Sequence, residues 1–377
     1  MKKTFKMVGI SISIIIGLMI ITLSLFLLLN PQFGESIPKE QKEKYAQLAN
    51  YKDGKFVNQS VTEMDVHFWA LMKEMFKSKP NKRPNTNIPT LKIDPLTIGK
   101  LDSIATRLTW MGHSTFLLEM QGKVILIDPM FGKRPSPVSW AGTKRYSNEL
   151  PLDIEKLSYV DAVIISHDHY DHLDYKTIKK LKGKVGQYFT PLGVGNYLVK
   201  WGVDKEKINE LNWWEDIDFE NISLVCTPAR HFSGRGMFDR ASTLWCSWVI
   251  KGENHNIFFS GDGGYDTHFK EIGDKYGPFD LSLIENGQYN NNWKQFHMMP
   301  EESAQAALDL KSKLSMPIHW GAFTLALHDW TDPIERFLVK ADSLNLSVTT
   351  PEIGESVMVG DSVYPAKYWW KPYSVGK

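Results

Sequence analysis

The stretch VDAVIISHDHYDHLD, residues 160–174, decides the fold because it runs from an apolar strand pattern directly into three histidines and three aspartates. Imidazole and carboxylate groups are ligands suited to zinc, iron or manganese. In an extended loop His167 and His169 point the same way, whereas Asp171 and His172 begin the next turn and can serve a second ion. The pattern therefore predicts a metal site at the end of a buried strand, and the alternative of a merely solvated loop is disfavoured.

Three more potential ligands come later in the chain, each shortly after an apolar, strand-like segment. They are His231 in CTPARH, Asp262 in FSGDGG and His319 in PIHWG. The glycines around Asp262 allow the backbone to approach a metal closely. Any one of the three alone would more often be structural, but together with residues 166–174 they predict further ligands.

Alternating and continuous apolar runs predict the surrounding secondary structure. Several antiparallel strand pairs come first, followed by alternating strands and helices, which favours a layered α/β fold built on two sheets. The predicted strands cover 107–110, 115–120, 123–128, 160–166, 222–227, 244–260 (folded around a turn at 252–254), 280–284 and 316–319, and the predicted helices cover 175–181 and 300–314.

The order HxHxDH, then a histidine, then Gly-Asp, then a histidine resembles the metallo-β-lactamase superfamily. Within it, the sequence looks most like the N-acylphosphatidylethanolamine-hydrolysing phospholipase D group and its bacterial relatives. The matching stretches lie between about residues 105 and 325 and include WMGHST, IDPMF, ISHDHYDHLDY, TPARHF, LWCSW, FFSGDGGY and IHWG. This resemblance implies an α/β fold, the αββα four-layer sandwich, here preceded by one N-terminal transmembrane helix.

The resemblance also implies roles for the seven candidate ligands. In the family pattern one metal is held by His167, His169 and His231, a second by Asp171, His172 and His319, and Asp262 bridges the two. Two divalent ions are implied, with Zn²⁺ favoured. A hydroxide between two such ions is a nucleophile at neutral pH, because coordination lowers the pKa of bound water to around 7.

Other residues near these motifs are candidates for supporting roles, most of them with a structural alternative. His297 aligns with a histidine close to the substrate phosphate, where it would contact phosphate or donate a proton to the leaving alcohol, or it is a structural residue before a helix. His113 could hydrogen-bond a ligand carboxylate or be a buried structural histidine. Asp128 would orient the metal loop, and Lys144 with Arg145 would meet a phosphate headgroup or lie in a solvated loop. Departures from the family pattern at Phe296 and at 287–293 leave the exact substrate open.

The N-terminus differs from the rest of the chain. Met7 to Leu29 is a run of twenty-three residues without a charge, and roughly 20 apolar residues suffice to cross a bilayer. Lys2, Lys3 and Lys6 precede it, so the positive-inside tendency predicts a cytoplasmic N-terminus and an extracytoplasmic catalytic domain at the cell membrane. The rival reading is a cleaved signal peptide, which the length of the run and the absence of a small-residue cleavage site disfavour.

The sequence suggests four parts. Residues 1–30 form the basic end and anchor, 31–100 a juxtamembrane linker, an amphipathic helix and an irregular arm, 101–362 the hydrolase domain, and 363–377 an aromatic tail. The helix, between Val61 and Lys79, either packs on the core or lies on lipid, and the tail docks on the domain or touches the bilayer. Cys226 and Cys246 either pair or stay free.

Composition narrows the function classes. With 44 Lys and Arg against 43 Asp and Glu, no global positive field would attract nucleic acid. The leading hypothesis is a membrane-anchored, metal-dependent phosphodiesterase that hydrolyses a phospholipid such as an N-acylated phosphatidylethanolamine. The alternatives are a lactonase or other ester hydrolase of the same fold, and a membrane-tethered binding protein without catalysis. A homodimer is left open.

Overall fold

The computed structural model describes residues 2–34, 37–63 and 81–374. The chain begins with helix α1 (Lys2–Leu29), whose segment Thr4–Leu29 is strongly apolar, and the most apolar part of that segment is not buried inside the protein. This helix is long and apolar enough to cross a membrane, as predicted from Met7–Leu29. The predicted amphipathic helix between Val61 and Lys79 falls mostly on residues 64–80, outside the described residues.

Two large sheets form the domain, and a two-stranded hairpin precedes them. The hairpin consists of β1 (Tyr51–Lys52) and β2 (Lys55–Phe56). The strands of the large sheets are β3 (Thr106–Trp110), β4 (Phe116–Met120), β5 (Lys123–Ile127), β6 (Val160–Ile164), β7 (Val185–Pro191), β8 (Ile208–Leu211), β9 (Asp216–Phe219), β10 (Ile222–Thr227), β11 (Ser247–Lys251), β12 (Asn256–Phe259), β13 (Leu281–Glu285), β14 (Ser315–Ile318) and β15 (Ser356–Met358).

The seven-stranded sheet has the order β15-β3-β4-β5-β6-β7-β8, and the six-stranded sheet has the order β14-β13-β12-β11-β10-β9. In the first sheet β15 to β5 pair antiparallel and β5 to β8 pair parallel. In the second, β9 to β12 pair antiparallel and β12 to β14 pair parallel. Strands β10, β12, β13 and β14 therefore run in one direction, and their carboxyl ends lie at one edge.

Side chains alternate between two cores along the buried strands, as the period of two requires. On β5, Ile125 and Ile127 point into the core between the sheets, whereas Val124 and Leu126 point to the outer core. Phe116 of one sheet meets Phe259 of the other with ring centroids 6.2 Å apart. The sheets therefore pack face to face.

Helices cover both outer faces. The seven-stranded sheet is covered by α3 (Tyr175–Leu181) and α4 (Gly195–Lys200), and the six-stranded sheet by α5 (His268–Tyr276) and α6 (Pro300–Asp309), on which α7 (Asp332–Ser343) packs. Helix α6 begins with Pro300 and carries Glu301 and Glu302 in its first turn, which suits the positive end of the helix dipole. The result is the predicted αββα four-layer sandwich.

The segment predicted as a linker is integrated into the domain. It contains helix α2 (Lys39–Tyr45) and the β1–β2 hairpin. Tyr45, Tyr51 and Phe56 form one aromatic group, with centroids 4.9–5.7 Å apart, and are buried with the core between the sheets. The charged residues that suggested a linker occupy only its outer side.

The aromatic tail also packs on the domain. Trp369 is 8% exposed and Trp370 is 1% exposed, and both contact Trp320, with centroids 5.3 and 5.4 Å away. Of the two readings of the tail, the structure therefore supports docking on the domain. Cys226 and Cys246 are both buried and free.

Candidate metal centre

In the loop after β6, most histidine and aspartate side chains face the candidate metal centre, whereas Asp168 supports a neighbouring loop. His167 and His172 are buried and, with the partly buried His169 and Asp171, face the edge of the sandwich. Asp168 points away, and its carboxylate accepts hydrogen bonds from Gly234 N at 2.8 Å, Thr243 Oγ1 at 2.9 Å and Tyr197 OH at 3.1 Å. Asp168 therefore holds the loop after β10 in place.

A first group of donors consists of His167, His169, His231 and Asp262, whose ligand atoms all lie within 4.8 Å of one another. His169 Nδ1 lies 2.9 Å from His167 Nε2 and 3.2 Å from His231 Nε2. His167 Nε2 lies 3.9 Å from Asp262 Oδ2. Ligand atoms around a tetrahedral zinc ion are about 3.3 Å apart, given bonds of about 2.0–2.1 Å. The spacing fits a single ion.

A second group consists of His113, Asp171, His172 and His319. His172 Nε2 lies 3.5 Å from Asp171 Oδ2, and His319 Nε2 lies 3.9 Å from the same oxygen. Asp262 reaches this group as well, with Oδ2 3.1 Å from His172 Nε2 and Oδ1 3.0 Å from His319 Nδ1. Asp262 thus lies between the two groups, and the structure brings all seven predicted ligands together.

The glycine before Asp262 has a conformation that few other residues would accept. Gly261 has a φ of +58°, and a Cβ atom there would lie 2.7 Å from the carbonyl oxygen of Cys246. Strand β12 can therefore turn sharply enough to aim Asp262 at both groups. His113, Asp128 and His319 also have positive φ, at 59°, 40° and 67°, and such strained residues often cluster at functional sites.

Protonation states favour metal binding at most of the imidazoles. Burial lowers the pKa of His167, His231 and His319 well below the usual value and that of His169 to about 3. These rings are therefore neutral, with a nitrogen lone pair available for coordination.

The remaining ligands are held in a strongly acidic pocket. Burial opposes the charged form of His172, but Asp262 and Asp171 raise its pKa well above the usual value. Burial raises the pKa of Asp262 to about 6. The buried atoms His172 Nε2 and Asp262 Oδ1, although close to Asp262 Oδ2 and His319 Nδ1, form no well-aligned hydrogen bond with a described residue. Buried polar atoms are normally satisfied, so divalent cations fit this donor set.

Hydrogen bonds from neighbouring residues orient the ligands. Asp128 accepts from Ser166 N at 2.7 Å and lies 2.6 Å from His172 Nδ1. His231 Nδ1 lies 2.9 Å from the carbonyl oxygen of Phe296. His113 Nε2 lies 2.9 Å from Asp171 Oδ2, the kind of contact expected for it. Such contacts fix the ring orientation of metal-binding histidines.

Asn58 is a site residue that sequence reasoning missed. Its Nδ2 donates to the carbonyl oxygen of His231 at 2.9 Å, and its Oδ1 accepts from His231 N at 3.0 Å and from Trp245 Nε1 at 3.0 Å. Asn58 therefore holds the backbone of a ligand from both sides. Asn58 lies in a polar segment without any recognisable motif, so nothing in the sequence indicated this role.

Glu285 was missed as well. It is fully buried at the end of β13 and accepts from Met298 N at 3.0 Å and Gly287 N at 3.2 Å. Its Oε1 lies 3.3 Å from His297 Nδ1. Burial raises the pKa of Glu285 well above the usual value. Glu285 thus positions His297; its place after an apolar strand was the one available clue.

A cavity of about 240 Å³ opens above the metal ligands. His169, Asp171, Asp262, His297 and His319 form its polar side. Its other lining residues are mostly apolar or aromatic: Phe232, Gln288, Trp293, Phe296 and Leu325. The predicted candidate His297 therefore faces the same space as the ligands, and an apolar substrate part can lie beside them.

Arg145 does not reach this cavity. It is 5% exposed, donates to the carbonyl oxygen of Met130 at 2.6 Å, and lies over the Phe323 ring at 4.5 Å. Burial lowers its pKa to about 10. Both alternatives for Arg145, contact with a phosphate headgroup and a place in a solvated loop, are therefore wrong, and Arg145 stabilises the loop after β5 instead.

Known proteins share both the fold and the sequence pattern. A family model described as a beta-lactamase superfamily domain matches residues 123–320. An uncharacterized protein of Mycobacterium tuberculosis is 40% identical over 335 residues, covering 86% of this chain and 88% of the relative. The N-acyl-phosphatidylethanolamine-hydrolyzing phospholipase D 1 of Caenorhabditis elegans is 35% identical over 264 residues, covering 66% of this chain and 74% of the relative.

Among solved structures, Igni18, a metallo hydrolase from the archaeon Ignicoccus hospitalis, superposes with a TM-score of 0.51 at 22% identity, covering 67% of this chain and 98% of its own. The fold likeness agrees with the two-sheet sandwich, and the family match spans the strands that carry the metal loop. The chain therefore belongs to the metallo-β-lactamase superfamily and is a metal-dependent hydrolase of that fold.

Proposed function

We propose that this chain is a membrane-anchored phosphodiesterase of phospholipase D type that hydrolyses lipids resembling N-acylphosphatidylethanolamine. It would use two divalent ions, with Zn²⁺ favoured. His167, His169 and His231 would hold the first ion, Asp171, His172 and His319 the second, and Asp262 would bridge them. The similarity to the Caenorhabditis elegans phospholipase supports this choice of substrate class.

The observation that carries the proposal is the pair of donor groups sharing Asp262 at the floor of a partly apolar cavity. Ions held by these residues would supply an activated water and would neutralise the charge of a phosphate in the transition state. Aromatic residues on the cavity wall, such as Phe232, Trp293 and Phe296, suit the hydrocarbon part of a lipid.

The chain's own residues would position the substrate and move protons. Attack of water on phosphorus breaks the bond between phosphorus and the oxygen of the N-acylethanolamine, which leaves as an alcohol, and phosphatidate remains. Asp171, which faces the cavity, would orient the water. His297, whose Nδ1 lies 3.3 Å from Glu285 Oε1, would give a proton to the departing oxygen.

Helix α1 would keep the enzyme beside its substrate. Its basic start, Lys2, Lys3 and Lys6, favours a cytoplasmic N-terminus. The catalytic domain would then lie outside the cytoplasm, at the surface of the cell membrane. Anchoring removes the need to bind the bilayer anew for each turnover.

The test is hydrolysis by the full chain, purified in detergent and loaded with zinc. It is given N-acylphosphatidylethanolamine in mixed micelles, and both products are quantified. We expect N-acylethanolamine and phosphatidate in equal amounts, with a large loss of rate in Asp171→Asn. The matched control is Asp361→Asn, which changes an exposed aspartate and should leave the rate unchanged.

The other hypotheses give different results. No turnover of the lipid with about two bound metals per chain, but turnover of a lactone or carboxylic ester, would replace the phosphodiesterase by another hydrolase of this fold. Assembly or binding that survives His169→Ala without any hydrolytic activity in the wild type would indicate a tethered binding protein.

A further inference from the structure

The exit of helix α1 is fastened to the catalytic domain. Five hydrogen bonds join residues 30–34 to the domain, at 2.7–3.1 Å. They include Trp201 Nε1 to the carbonyl oxygen of Pro31 and Arg235 Nε to that of Gln32. These bonds fix the orientation of the domain relative to the segment after α1, so that one face of the domain lies beside the end of α1.

Exposed apolar side chains surround this exit. Phe238 is 89% exposed and Met237 is 64% exposed, on the loop that follows Arg235. Trp140 is 80% exposed, three residues after Pro137, whose carbonyl oxygen accepts hydrogen bonds from Asn30 and Gln32. Exposed apolar groups clustered around one point mark an interaction surface.

The position of these side chains relative to α1 places them at the depth of a membrane surface. At 1.5 Å per residue, the twenty-three residues Met7–Leu29 span about 34 Å, against a hydrocarbon core of about 30 Å. Leu27, in the last turn of α1, lines the same cavity as Met237 and Phe238. A spanning α1 therefore brings this loop to the outer edge of the hydrocarbon.

That cavity has a volume of about 360 Å³ and contains both apolar and cationic groups. Leu27, Phe33 and Ile37 are on its apolar side, and the cations are Lys42, Lys55 and Arg240. None of these three cations forms an ion pair with a described residue.

One carboxylate also lines the cavity, that of Asp239. It accepts hydrogen bonds from Gly236 N at 2.8 Å and from Arg235 N at 3.1 Å. Its charge is therefore engaged by the backbone of its own loop, and the remaining charge of the cavity is positive.

We propose that this face binds the bilayer, with Trp140, Met237 and Phe238 inserted at its surface, and that the cavity beside Leu27 holds the headgroup of an anionic phospholipid. The cations would contact the phosphate, and the acyl chains would continue along the last turn of α1. The inference rests on the proposed anchoring by α1 but does not require the proposed hydrolysis. The cavity shares no lining residue with the one above the metal centre, but the two adjoin, because Arg240 lies over the ring of Phe232 at 3.9 Å.

A lipid fits these observations better than a protein partner or a soluble phosphate does. The apolar groups adjoin a helix whose most apolar stretch has no buried residue, and a bilayer would cover both at once. A soluble phosphate would use the cations and leave Phe238 and Met237 in water.

The first experiment measures depth in the membrane. The full chain with Phe238→Cys is labelled with a nitroxide and placed in phosphatidylcholine nanodiscs; Cys226 and Cys246 are buried, so labelling is directed to position 238. Power-saturation EPR then compares accessibility to oxygen and to a water-soluble nickel complex. The control is Val339→Cys, 74% exposed on α7 in the opposite outer layer.

We expect the label at position 238 to favour oxygen over nickel at least about twofold relative to position 339. Equal accessibility at both positions in chains retained by the nanodiscs would overturn the inference. Chains that do not stay with the nanodiscs would instead refute anchoring by α1, and the inference with it. Neither result depends on hydrolytic activity.

The second experiment tests the headgroup. The unfolding temperature of the full chain in detergent is measured with added phosphatidylglycerol, with the same amount of phosphatidylcholine, and with free glycerol phosphate. We expect phosphatidylglycerol alone to raise it by about 3 °C or more at saturation. Lys42→Gln/Lys55→Gln should abolish this rise, whereas Lys251→Gln/Lys367→Gln, of equal charge change, should keep it.

Equal stabilisation of both double variants would contradict the proposed headgroup site. Stabilisation by glycerol phosphate as large as that by phosphatidylglycerol would identify a soluble phosphate as the ligand and overturn the lipid assignment.

Discussion

The position of a candidate ligand histidine depends on its backbone, and Asn58 fixes the backbone of His231 by two hydrogen bonds. The side-chain amide bonds both His231 N and His231 O, at 3.0 and 2.9 Å. We expect Asn58→Ala to weaken zinc binding about 10- to 100-fold and to lower the free energy of unfolding by about 1–3 kcal/mol. Competition with a chromogenic chelator and urea unfolding measure the two effects.

The matched control is Asn209→Ala, which removes an amide that donates to Gln187 Oε1 at 2.9 Å, away from the metal ligands. It should cost stability without changing zinc affinity. A loss of zinc affinity as large as that in Asn58→Ala would mean that general destabilisation, and not the position of His231, controls binding.

The seven candidate ligands could be selected from the sequence because their signal is local or ordered along the chain, and the structure brings them together. Four of them lie within six residues, and the others follow strand-like segments. Asn58 and Glu285 were not predictable in this way, since their roles come from contacts across 173 and 12 residues. Arg145 shows the opposite error. Its charge and its position in a loop motif suggested contact with a ligand or with solvent, but it is buried and donates to the carbonyl oxygen of Met130.

At the scale of elements, strands with continuous apolar runs were predicted well and polar ones were missed. The structure confirms strands at β5, β6 and β10 close to the predicted bounds. It adds β7 and β8, whose sequences VGQYFTP and INEL lack a clear pattern. Their extended form comes from pairing next to β6, which is a tertiary effect that no short window of sequence contains.

Residues 37–56 illustrate the same limit. Their mixture of lysine, glutamate and other polar residues is typical of a linker, yet Ile37, Tyr45, Tyr51 and Phe56 are all less than 8% exposed. A few large apolar residues at the correct spacing suffice to attach such a segment to a core. The average composition of the segment does not reveal them.

The aromatic tail is a second such attachment and gives a prediction. Trp370 is 1% exposed, and its Nε1 donates to Glu335 at 2.6 Å. Trp370→Ala should lower the free energy of unfolding by about 3–5 kcal/mol because it leaves a large cavity. Tyr368→Ala, at a position 55% exposed, should change it by less than about 1 kcal/mol. Denaturant unfolding of both variants would decide, and equal effects would contradict packing of the tail through Trp370.

At the scale of the whole molecule, both sheets present strand ends at one edge, where the loops after β6, β10, β12 and β14 meet. The first sheet contributes the loop after β6, and the second contributes Asp262 and His319 after β12 and β14. Closing the sandwich therefore assembles the site. Arg235 connects the segment after α1 to this arrangement, since it donates to Gln32 O at 2.7 Å and to Asp168 O, inside the loop after β6, at 2.6 Å.

Removal of α1 tests what the anchor contributes. A chain starting at Asn30 keeps the segment that contacts Trp201 and Arg235, so we expect normal zinc content and an unchanged rate on a short-chain phosphodiester in solution. Its rate on lipid in vesicles should fall about 100-fold or more, because anchoring replaces binding from solution by a high local concentration. Both rates are measured at equal protein concentration.

A second form restores anchoring without the native helix. If residues 2–29 are replaced by an unrelated spanning helix that keeps the basic start, most of the vesicle activity should return, because the bonds of residues 30–34 still set the orientation of the domain. Equal losses on soluble and vesicle substrates after truncation would mean that α1 supports the fold of the site. An undiminished vesicle rate would show that the domain finds its lipid without the anchor.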